Sequence, residues 1–91
     1  MSVLVLPQEL TQSKAMACLA ALLKGLREPS ERDVILDAAP LTRFDSAALA
    51  VLLELQRQAA TLGKRLMIRG LSGRLSDLAA LYGIAELLQS A

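Results

Sequence analysis

The sequence predicts an α/β fold, a single small domain in which a mixed β-sheet has helices packed against it. Three observations predict it. Short apolar runs at Val3–Leu6, Val34–Leu36 and Leu66–Ile68 are each closed by a Pro, a Gly or a polar loop. Stretches with apolar residues at helical spacing lie between and after them. Strands that alternate with helices in this way argue a mostly parallel or mixed sheet, because each helix carries the chain back across the sheet.

Val3 to Leu6 reads as a first strand that Pro7 stops, with Glu9 and Leu10 continuing it as an edge piece after a kink. Thr11 or Ser13 can cap the helix that follows. Met16, Leu19, Ala20, Leu22, Leu23 and Leu26 recur on one helical stripe, and Gly25 with Pro29 closes that helix before a polar turn from Glu28 to Arg32. The unbroken run Val34–Leu36 suits a strand covered on both faces, and Pro40 and Thr42 end it.

From Asp45 the period changes to that of a helix. Ala48, Leu49, Leu52, Leu53, Gln56, Ala59 and Ala60 share one stripe, Asp45 is a good N-cap, and Gly63 stands where a helix end favours a left-handed residue. Ala50, Val51 and Leu55 add apolar surface outside that stripe. They are either ordinary surface residues or a second contact face, for a partner or a twin. Leu66, Met67 and Ile68 form the third strand, ended by Gly70. Ser72 then caps a helix through Leu75, Leu78, Ala79 and Leu81 that stops at Gly83. A last turn offers Ile84, Leu87 and Leu88 to the core.

The 91 residues allow one domain, residues 1–91, which buries roughly 60–65% of its unfolded surface without needing metal or disulfides. The net charge is +1 with Arg and Lys scattered among Glu and Asp, so no basic stripe offers itself to nucleic acid. Cys18 is the one cysteine and falls inside a helix, which fits a reduced compartment and a small buried hydrophobe. The longest apolar run, Ala15 to Leu23, is about half of a membrane span, and Met1 to Val5 lack the basic residues of a secretory leader. A cytoplasmic protein is expected.

Catalytic chemistry is hard to assemble from these residue types. There is no histidine, the carboxylates are dispersed, and neither G-x-x-x-x-G-K-[ST] nor G-x-G-x-x-G occurs, so no catalytic residue, metal or cofactor is expected. Gly70 to Gly73 at a helix start offers at most a weak anion site. Asp45 and Ser46 stand out instead. At a helix N-terminus the carboxylate caps backbone donors and the neighbouring hydroxyl stays at the rim, either as plain capping chemistry or as a place for a partner or a kinase. Arg43 and Phe44 precede them as a plausible anchor pair, although Phe44 could equally close the sheet end as a core residue.

In order and at near-family spacing, four pieces of the chain resemble the STAS domain found in sulfate-transporter tails and anti-sigma-factor antagonists. They are Glu9-Leu10-Thr11, Val34 to Asp37, Leu41 to Ser46 as the signature loop, and Leu78 to Ile84 with Leu88 as the closing helix. Phospho-switch antagonists carry Asp-Ser-Ser/Thr-Gly-Leu in that loop, and the second hydroxyl takes phosphate. Here Asp45, Ser46, Ala47, Ala48 and Leu49 stand there, so the acceptor position falls on Ala47.

A loop with one hydroxyl followed by small residues is similar to that of the MlaB-like STAS subunits of Mla-type phospholipid ABC transporters. The resemblance implies a non-catalytic cytoplasmic subunit that binds the transporter's ATPase and supports the machinery of outer-membrane lipid asymmetry. It would meet the cytoplasmic face of the inner membrane only indirectly, through the permease. The implied protein-binding residues are Arg43, Phe44, Asp45, Ser46, Ala47, Leu49 and Ala50. The alternative implied by the family is an anti-sigma-factor antagonist phosphorylated on Ser46, and a homodimer through the apolar helix is a third reading.

Overall fold

In the computed structural model, residues 2–28 and 32–88 are described. Strands β1 (Ser2–Val5), β3 (Asp33–Asp37) and β5 (Arg65–Arg69) form one sheet in the order β1-β3-β5. A second, two-stranded sheet pairs β2 (Glu9–Leu10) with β4 (Arg43–Phe44). Helix α1 (Gln12–Leu26) connects β1 and β2 to β3, α2 (Ser46–Thr61) connects β4 to β5, and α3 (Gly73–Leu81) follows β5, trailed by a 3₁₀ turn at Ala85–Leu87. The α/β class holds. The expected mixed sheet is instead parallel in every described pairing, because β1, β3 and β5 are joined by helical crossovers and no hairpin turn intervenes.

Both crossovers step in the same direction across the sheet, so α1 and α2 share one face and pack on each other. Register then sorts the strand residues. Leu4, Leu36 and Ile68 lie in one row, and Val34 and Leu66 in the next, all turned toward the helices; Val3, Ile35 and Met67 make the row on the other face. The core sets Val34, Leu36, Leu66 and Ile68 against Leu22 and Leu26 of α1 and Ala48, Leu49, Val51, Leu52, Leu55 and Ala59 of α2, and Leu6, Leu10, Ala38, Leu41, Leu75, Ala79 and Leu88 belong to the same cluster.

Several sequence expectations change here. Val51 and Leu55 are 3% and 0% exposed, so of the extra apolar residues of α2 these two are consumed within the domain, where the helix is wedged between sheet and α1, and Ala50 alone stays exposed. Met16 is 80% exposed, about a quarter-turn from the buried line through Leu22 and Leu26. Leu81 and Leu87 also face solvent: α3 buries Leu75 and Ala79, which turns Leu81 to the opposite side. Leu88 is buried and Ile84 half-buried, as expected of the final turn. Pro29, expected to help close α1, lies outside the described residues. Among the described residues no helix is long and apolar enough to cross a membrane.

Candidate functional site

The loop before α2 is held by β4, whose Phe44 pairs with Leu10 and packs half-buried on the core. The Arg74 guanidinium of α3 lies over the Phe44 ring, 5.4 Å from its centroid. Phe44 is therefore clasped from α3 rather than paired with Arg43, which is exposed and donates its N–H to the Gln8 carbonyl at 3.1 Å.

Asp45 is the N-cap of α2, and it does more than cap. Its Oδ1 accepts the Ala47 N–H at 2.8 Å, and its Oδ2 accepts the Gln12 N–H, the first of α1, at 3.0 Å. One carboxylate thus sits at the positive ends of two helices. Thr11 occupies the N-cap position of α1 without capping it; its hydroxyl donates to Glu9 Oε2 at 3.5 Å instead. Ser13, the other expected cap, lies inside α1. Asp45 takes over the cap because it approaches from across the fold, 33 residues away, where no local pattern can announce it.

Ser46 is the first residue of α2 and is exposed. Beside it runs a groove of about 240 Å³ bounded by Ser46, Leu49, Ala50, Leu53, Tyr82 and Ile84. Leu49 is 3% exposed, so it forms the floor rather than contact area. Ala47 is half-buried and Ala50 exposed, and both also line a neighbouring hollow with Gln12, Asp45 and Ser46. The wall contributed by Tyr82 and Ile84 was invisible from the loop motif, since it comes from the end of α3 through tertiary packing. The exposure of Tyr82, at 57%, and of Leu81 beside it makes this the more apolar rim.

Among the described residues, no group of three His, Cys, Asp or Glu side chains could hold a metal ion. Desolvation pushes the half-buried Cys18 thiol above its ordinary value, the opposite of what a reactive thiolate needs.

Comparison with known proteins now bears on this geometry. The family described as "Mlab, STAS domain" matches residues 1–89. The chain belongs to that STAS family. A solved structure, that of a sulfate transporter family protein from Wolinella succinogenes, is similar with a TM-score of 0.76 and 22% identity over 96% of this chain and 70% of that one. At that identity the likeness speaks for the fold alone. No curated protein matches. STAS domains occur both in transporter-associated proteins and in anti-sigma-factor antagonists. In this STAS domain the signature loop, read as Asp45-Ser46-Ala47, is the structure's clamp between α1 and α2, with its free hydroxyl at the mouth of a groove.

Proposed function

We propose that this STAS domain is a non-catalytic cytoplasmic subunit that binds and supports the ATPase of an Mla-type phospholipid ABC transporter. In this reading it reaches the inner membrane only through that complex and serves outer-membrane lipid asymmetry. The observation that carries the proposal is the exposed Ser46 at the mouth of an apolar groove, on a helix start already fixed by Asp45. Ser46 supplies a hydrogen bond, Ala50, Leu53 and Tyr82 supply apolar area, and Leu49 supports them from below. A preformed surface of this kind suits a stable protein partner, since little has to be ordered on binding.

The second reading, an anti-sigma-factor antagonist, is favoured by the same accessible Ser46 hydroxyl. Against it stands Ala47 at the family's acceptor position, half-buried and without a hydroxyl. A phosphate on Ser46 would gain from the helix dipole but would carry about two negative charges next to Asp45.

Co-purification with the cognate ATPase tests the proposal, with circular dichroism as the folding control. Ser46→Ala should weaken the complex by about 1 kcal/mol and Tyr82→Ala by about 2 kcal/mol. Ser46→Arg should abolish it by adding a clash and an unpaired charge. A folded Ser46→Arg protein that co-purifies at wild-type yield would remove the α2 start from the interface. Stoichiometric phosphate on Ser46 in protein from its native cell would transfer the assignment to the second reading.

A further inference from the structure

The outer edge of β1 borders a groove that shares no residue with the Ser46 groove, and it is built from three features that the docking reading does not use. The first is unsatisfied backbone. β1 ends the sheet order β1-β3-β5, and the Leu6 N–H donates to the Asp37 carbonyl at 2.9 Å. Because N–H and C=O of one strand residue point the same way and alternate along the strand, Leu6, Leu4 and Ser2 face β3. The N–H and C=O groups of Val3 and Val5 therefore point outward from the sheet. No lysine, bulge or proline within β1 blunts this edge, the usual protections against a further strand.

The second feature is a groove of about 490 Å³ between that edge and α1, with Val5, Lys14, Ala17, Cys18, Ala21 and Leu22 on its walls. Small side chains on α1 leave room beside the strand. Gly25 brings the other end of the helix down onto β1, where a Cβ would stand 2.7 Å from Leu4 Cδ2. The third feature is charge. From Gln12 to Arg27 the only charged residues are Lys14, Lys24 and Arg27, all exposed. Glu9, the acid at the groove's end, accepts a hydrogen bond from Thr11.

We infer that this edge takes an extended segment of a partner protein as an added strand, with an apolar centre and acidic ends. The edge groups of Val3 and Val5 give the main-chain hydrogen bonds, and alternate side chains enter the groove, the division of labour of strand addition. Lys14 lies on the groove wall, and the exposed Lys24 stands beyond the groove about 15 Å further along α1. At about 3.3 Å per strand residue, acids roughly five residues apart would meet them both. A second copy of this chain fits less well, since two cationic α1 surfaces would be brought together.

The probe is a blocked heptapeptide, Val-Thr-Val between two glutamates at each end, with a lysine-for-glutamate twin. Binding to the full isotopically labelled chain is read by amide shifts and hydrogen exchange. The glutamate peptide should shift Ala17 and Ala21 and slow exchange at Val3 and Val5 by about tenfold or more at saturation, and the lysine twin should do neither. Lys14→Glu with Lys24→Glu should raise the Kd of the glutamate peptide by about tenfold or more. Val5→Pro removes an outward donor without touching a β1–β3 bond, so it should stay folded and bind more weakly. Unchanged exchange at Val3 and Val5 with millimolar peptide overturns the inference, as does equal binding of both peptides. Protection at Val3 and Val5 that rises with protein concentration alone overturns it too, by giving the edge to a second copy.

Discussion

Replacing Asp45 should cost this fold more than an ordinary helix cap does, because its carboxylate serves α1 and α2 at once. Asp45→Ala removes the α2 cap, worth about 1 kcal/mol. It also removes the bond from Gln12 N–H, which adds about 1 kcal/mol once its exposure is discounted. The sum of about 2 kcal/mol should lower Tm by roughly 8–16 °C in a domain of this size. Asp45→Asn keeps one acceptor oxygen and should fall between.

Gln12→Pro isolates the second bond. Gln12 is the first residue of α1, where Pro is well tolerated, and Thr11 before it is extended, with φ −115° and ψ 175°, as a residue preceding Pro must be. In the wild-type background the lost bond offsets the gain of about 0.4–1 kcal/mol from a stiffer unfolded chain, leaving stability nearly unchanged. In the Asp45→Ala background only the gain remains, and the proline should stabilise. Urea denaturation of the four proteins therefore yields a coupling of about 1 kcal/mol. A coupling below about 0.3 kcal/mol would refute the two-helix clamp.

Two further outcomes rest on other parts of the fold. Gly63 and Gly70 both have positive φ, 69° and 73°, but a Cβ on Gly63 meets open space whereas one on Gly70 would lie 2.9 Å from the Ala39 nitrogen. Gly63→Ala should cost about 1 kcal/mol by thermal denaturation and Gly70→Ala at least about twice that; equal losses would deny the close approach of β5's end to Ala39. Glu54 is held below the usual carboxylate range chiefly by its hydrogen bonds from the Arg57 guanidinium. A carboxyl lowered in the folded state adds stability above its unfolded value, and that contribution is lost as pH falls through the folded value. Arg57→Ala should therefore raise the Glu54 pKa in an NMR titration and flatten the acid limb of the stability curve; an unmoved titration denies the pair.

The elements were legible because local signals agree with the fold. Asp45, Ser72 and Gly83 stand where capping chemistry wants them, and the Ser72 hydroxyl accepts the Leu75 N–H at 3.1 Å. What escaped the sequence is long-range. The Asp45 bond to Gln12 joins positions whose nearness exists only once β2 and β4 have paired. Tyr82 and Ile84 enter the groove only when α3 folds back beside α2. Arg43 beside Phe44 looked like a pair because they are neighbours in the chain, but in a strand neighbours face opposite ways, and Arg74 reaches the ring instead. The surplus apolar residues of α2 misled for the same reason: one period describes one buried stripe, while this helix is covered from more than one side.

That burial narrows where the proposed partner of α2 can stand. With Val51 and Leu55 enclosed, the large apolar side chain still partly open on the helix is Leu53, in its N-terminal half, which with the exposed Ala50 shares a groove with Tyr82; toward the C-terminal end the only exposed apolar residue is the small Ala60. The same half is pinned by Asp45 below and by the Phe44–Arg74 clasp beside it. Rigidity and exposure therefore coincide at one place, a combination that lowers the entropy lost on docking and concentrates binding energy in few residues. It also separates two roles inside a single dipeptide. In the proposed complex Asp45 acts through the position of the helix start, so its replacement should be felt first in stability, whereas the exposed Ser46 hydroxyl takes no part in the cap and its replacement should be felt in the complex alone.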